Sequence, residues 1–138
     1  MPKSRGWVYA PRKPKPVRVS PELQAEMGAR AKELIETVLK PRHIQPRPAD
    51  YQLSYVGDIW TTWYHSSLFY FCATYQCPSP NALSPTFESR FARMWHTGNG
   101  RFTLAFMRYT GEWFDLYKDQ TLDECLEHIR DDGHFYVP

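Results

Sequence analysis

No stretch of this sequence is long and apolar enough to cross a bilayer. The densest apolar run, around Leu68 to Ala73, falls far short of the ~20 residues a spanning helix needs. The opening MPKSRGWVYAPRKPKP has no apolar core of a secretory signal, so a cytoplasmic location without membrane attachment is expected. Cysteine is scarce: Cys72, Cys77 and Cys125 are the only three. An odd, small number is not a disulfide scaffold and agrees with a reducing compartment. Acid is missing from the first twenty residues, which hold Lys3, Arg5, Arg12, Lys13, Lys15 and Arg18. Since the whole chain carries +2, the remainder carries −4. That is a basic arm on a mildly acidic body, not a uniformly basic protein. Catalytic signatures are missing as well: the sequence has no HExxH, GxSxG, Walker A or GxGxxG pattern.

What is present suits one domain. The 138 residues are 42% hydrophobic and 16% aromatic, enough to build a core. Residues 1–19 hold four prolines among their cations, and read as a basic, proline-rich, disordered tail. Residues 20–138 read as a single α+β domain. Ser20-Pro21 is a helix start, and Leu23, Met27, Ala31, Leu34, Ile35 and Val38 keep helical spacing up to Pro41, which is expected to end the helix. From Tyr51 to Tyr75 the chain is dense in Tyr, Trp, Phe and Thr. It reads as about three strands, with breaks at Gly57-Asp58 and Ser66-Ser67. Three more strands follow, near 87–97, 101–109 and 112–118, separated by turn signals at Gly98-Asn99-Gly100 and Thr110-Gly111. Thr121-Leu122-Asp123-Glu124 is a capping box opening a last helix. The expected architecture is an N-terminal helix, an antiparallel sheet of five or six strands and a closing C-terminal helix.

Two-residue turns at Asn99-Gly100 and Thr110-Gly111 would place Phe91, Arg93, Trp95, Leu104, Phe106, Arg108, Trp113, Asp115 and Tyr117 on one sheet face. The smoother Ala92, Met94, His96, Thr103, Ala105 and Met107 would then lie on the other, where a helix could pack.

Several segments resemble a family of small bacterial proteins described as a domain of unknown function, number three thousand and twenty-four. They are PRHI at 41–44, DYQLSY at 50–55, RFTLAFMRYTGEWFDLY at 101–117 and LDECLEHIRDDGHF at 122–135. The resemblance implies the same order of helix, sheet and closing acidic helix. It brings no functional residues with it.

The residues allow three chemistries. Cys72-x4-Cys77 with Cys125-x2-His128 is a conceivable zinc set, but these cysteines fit ordinary core positions better, so no metal and no cofactor is expected. His65, His96, His128 or His134 with Asp131 or Asp132 would be needed for a histidine-based hydrolase, and the reading leans away from an enzyme. The aromatic and arginine face (Phe91, Arg93, Trp95, Arg108, Trp113 and Tyr117) is the expected binding surface, with Arg12, Lys13, Lys15 and Arg18 as tail contacts. The preferred reading is a non-enzymatic binding or protein-interaction module, with a protein partner or a homodimer. The alternative is a nucleic-acid-associated accessory protein whose tail meets phosphates and whose face stacks bases.

Overall fold

Ser20 and Pro21 start the first helix for complementary reasons. The Ser20 hydroxyl accepts from the Leu23 N–H at 3.2 Å, and Pro21 has no N–H to leave unsatisfied. In the computed structural model, which describes residues 15–137, α1 spans Pro21–Leu34. It runs on through a π-helical stretch, Ile35–Leu39, into α2, Lys40–His43. The helix therefore outlasts Pro41, where the sequence expectation ended it. The Lys40 N–H bonds back to Ile35 O, and this wider turn gives the proline ring room and needs no donor from it.

Residues 1–14 of the expected tail, with Arg12 and Lys13, lie outside the described residues. Lys15 and Arg18 are exposed. Val17 and Val19, assigned to the tail by composition, are tied to the sheet. The Val17 N–H donates to His96 O at 2.7 Å, the Val19 N–H to Ser66 O at 2.8 Å, and the Val19 side chain is fully buried. Folded structure thus extends back past Ser20.

The sheet is a five-stranded antiparallel meander in the order β1-β2-β3-β4-β5. Its strands are β1 Tyr55–Tyr64, β2 Leu68–Gln76, β3 Thr86–Gly98, β4 Arg101–Met107 and β5 Trp113–Gln120. The stretch from Tyr51 to Tyr75 gives two strands instead of three, because Gly57 makes a bulge in β1 and not a break. Further bulges fall at Phe91, at Thr97 and twice in β5. Each bends and twists the sheet.

Both long helices lie on one face. Phe69, Phe71, Met94, Phe102 and Leu104 of the sheet meet Met27, Ala31 and Leu34 of α1 and Cys125, Leu126 and Ile129 of α3, which spans Leu122–Asp131. A final 3-10 turn, Gly133–Phe135, inserts Phe135 under this layer with no exposure.

The Thr121 capping box forms in full. The Glu124 N–H donates to the Thr121 hydroxyl at 3.1 Å, and the Thr121 N–H donates to the Glu124 carboxylate at 2.8 Å. That bond from the Thr121 backbone holds Glu124 below the usual carboxylate range. Thr121→Ala is expected to cost about 1 kcal/mol, read as a drop in urea midpoint at unchanged slope. A loss below a few tenths would show that packing alone sets the start of α3.

Candidate functional site

The sheet face away from the helices carries the aromatic and arginine residues. Strand pairing aligns Thr62, Tyr70, Arg93, Ala105 and Asp115 across all five strands. Beside them lie Leu68, Trp95 and Thr103 on one flank and Met107 with Trp113 on the other. Tyr70 and Trp113 have ring centroids 5.7 Å apart. The Arg93 guanidinium sits 5.0 Å over the Trp113 ring and donates to Asp115 at 3.2 Å. Arg90 sits 4.4 Å over Tyr70. Stacking holds these cations flat against the face instead of projecting into water.

The expected face is only partly reproduced, and bulges explain why. Thr97 adds a residue before the Asn99-Gly100 turn, so Trp95 faces Thr103 and not Leu104. The following loop has three residues, Tyr109 to Gly111, closed by the Arg108 N–H to Glu112 O at 2.9 Å. Each shift moves β4 by one position, so Leu104 and Phe106 point to the helices while Thr103, Ala105 and Met107 join the open face. The two shifts cancel across β4, which keeps Arg93, Trp95, Trp113 and Asp115 together. Phe91, the extra residue of its bulge, is 3% exposed in the core. Tyr117 pairs opposite Leu104 and packs against the core. Arg108 lies in the loop, 5.3 Å over Phe114.

On this face a cavity of about 490 Å³ is lined by Pro16, Leu68, Arg93, Trp95, Asp115 and Lys118. The Arg93 Nε and Trp95 Nε1 donors are buried in its wall with no acceptor among the described residues. An unmet buried donor costs about 1–3 kcal/mol.

The other candidate groups are scattered. His65 is exposed on the β1–β2 turn. Buried His96 fixes the amino-terminal arm. Its Nε2 accepts from the Gly100 N–H at 3.1 Å, so its Nδ1 is the donor to Val17 O at 3.0 Å. His128 stacks on Tyr117 at 3.6 Å, with Nε2 2.9 Å from Gln120 Oε1. Asp131 pairs with Arg130 at 2.8 Å.

Asp132 and His134 do meet, one of the several histidine–acid pairings that the hydrolase reading named together. Asp132 Oδ1 accepts from the His134 N–H at 2.9 Å and lies 2.7 Å from its Nδ1. The Tyr117 hydroxyl donates to Asp132 Oδ2 at 2.5 Å. Burial alone would raise the Asp132 carboxyl, but these hydrogen bonds outweigh it and hold the group below its ordinary value. An Asp-x-His step just past a helix end was the available signal.

The cysteines are apart. Cys72 is buried on the open-face side, Cys125 is in the helix-side core, and Cys77 follows β2 with the Ser54 hydroxyl 3.5 Å from its sulfur. Burial pushes the Cys72 thiol up to about 11 and the Cys125 thiol up to about 12, away from the thiolate a metal or a nucleophilic role requires. Among the described residues no three His, Cys, Asp or Glu side chains are placed to hold a metal, and no helix is long and apolar enough to cross a membrane.

A family described as a domain of unknown function, DUF3024, matches residues 19–137. No curated protein matches the chain, and no solved structure does.

Proposed function

We propose, given that this chain belongs to the DUF3024 family, that it is a non-enzymatic protein-interaction module whose contact surface is the open sheet face. One observation carries this reading. The helices cover one face only, while the other presents part-exposed Trp95 and Trp113 beside buried Tyr70, with Arg90 laid flat on Tyr70 and Arg93 on Trp113. Aromatic and arginine side chains on a firm platform are what protein contacts are built around. The partner envisaged first is a second copy of the chain. The face carries Arg90, Arg93 and Lys118 against Glu88 and Asp115, a near balance that two copies can tolerate.

The nucleic-acid reading comes second, favoured by the same stacked arginines. It requires bases on Trp113 and phosphates on the basic arm. The acidic body argues against it, since seven acids lie between Asp115 and Asp132 against Lys118 and Arg130.

Sedimentation of the full chain and of Trp113→Ala separates the two. The interaction reading expects a mass that rises with concentration in the parent and stays monomeric in a folded Trp113→Ala. Single-strand binding should be weak, fade steeply with salt and be indifferent to Trp113. A monomer at every concentration, together with oligonucleotide binding that Trp113→Ala weakens at unchanged salt slope, would replace this reading with the second.

A further inference from the structure

β4 stops at Met107, whereas β3 reaches back to Thr86, and their pairing ends at Ala92 opposite Phe106. Beyond that point the sheet has a notch. A cavity of about 660 Å³ occupies it, lined by Arg90, Phe91, Phe106, Arg108, Tyr109 and His134 among others. Its charge is one-sided: no carboxylate lines it. Among the described residues neither Arg90 nor Arg108 has an ion-pair partner. Both guanidiniums are nonetheless held in place, Arg90 over Tyr70 at 4.4 Å and Arg108 over Phe114 at 5.3 Å. A guanidinium stacked on a ring keeps its planar fork of donors free for an anion. His134 is oriented too. Asp132 holds its Nδ1 side at 2.7 Å, which leaves Nε2 as the ring's remaining polar atom. The rest of the wall is mostly aromatic, with Ser89, Met107 and Gly111 between the rings.

We propose that this notch binds a phosphate monoester carried on a planar ring. Two unpaired guanidiniums match a dianion better than a monoanion. Phe106 and Tyr109 offer the ring an apolar seat, with buried Phe91 beneath it. Arg90 also belongs to the open face, whereas Arg108 and His134 do not, so the Arg108→Gln arm and the His134 shifts test this site separately from that contact.

The test titrates the full chain with phenyl phosphate at low ionic strength, followed by calorimetry and by the ring-proton shifts of the histidines. Binding at about 1 mM or tighter is expected, moving the His134 ring protons and leaving those of His128. Arg90→Gln and Arg108→Gln should each weaken it about tenfold, the scale of one charge-assisted hydrogen bond at a solvated site. Arg101→Gln, at the start of β4, should leave it unchanged. Adenosine 5′-monophosphate serves as the second probe: saturation by either supports the site, and the tighter of the two identifies a nucleotide or a simple aryl ester as the source. Inorganic phosphate binding as tightly as phenyl phosphate would overturn the ring seat. Benzoate matching phenyl phosphate would overturn the phosphate. No saturation by about 10 mM of either ester, or folded arginine variants that bind like the parent, would overturn the site itself.

Discussion

Phe102→Ala is expected to remove about 3–5 kcal/mol of stability, the range for emptying a fully buried aromatic site. Phe102 has no exposure. It belongs to the cluster that joins the sheet to both long helices, and its ring lies 5.2 Å from that of His96. The site cannot collapse easily, because the bulge at Thr97 and the arm bonded to His96 fix the backbone on one side of it. Domains of this size have about 5–15 kcal/mol in total, so the variant should be partly unfolded at 37 °C. Urea unfolding measures the loss. Phe114→Ala, at a ring left 43% exposed, should cost under about 1 kcal/mol. Equal losses in the two variants would mean that the helix-side core is not where stability resides.

Asp132→Ala should have the next largest effect, about 2 kcal/mol. It removes the acceptor of the Tyr117 hydroxyl, of the His134 N–H and of the His134 ring, and leaves a half-buried phenol without its partner. Its pH dependence follows from the lowered carboxyl. A group whose folded pKa lies below its unfolded one stabilises fully above the ordinary carboxylate range, and that contribution fades as pH falls through the folded value. The gap between parent and variant should therefore be constant near neutrality and close below about pH 4. The Tyr117 phenol, held above its usual value chiefly by its hydrogen bond to Asp132, should titrate closer to an ordinary tyrosine in the variant, visible in ultraviolet absorbance. An acid-side gap that stays open would show that the aspartate acts by packing and not by charge.

The elements were legible because their signals are local. Ser20-Pro21 and Thr121-x-x-Glu124 satisfy helix donors through residues three apart, and Asn99-Gly100 suits positive φ at both turn positions. The faces were less legible because bulges are not local. Nothing about Phe91, Thr97 or Leu116 as residues announces an unpaired position; the demand arises from packing the sheet around the helices. A single extra residue sends every following side chain to the opposite face, which is how Phe91 and Tyr117 left the expected surface. The Asp132–His134 contact was hidden differently. Asp131-Asp132 reads as a solvated acidic helix end, and only the 3-10 turn after it brings the histidine back onto the carboxylate.

The meander has a consequence for the order of synthesis. Every strand pairs with its sequence neighbour, so the sheet can assemble hairpin by hairpin as the chain leaves the ribosome, with short loops to close at each step. α1 emerges first, yet its inner face must wait. Met27, Ala31 and Leu34 share their cluster with α3 and Phe135, more than ninety residues later in the sequence. Until Phe135 is released, the nascent sheet carries an uncovered apolar side. That interval, and not the finished domain, is where a holding chaperone would find the most surface to grip.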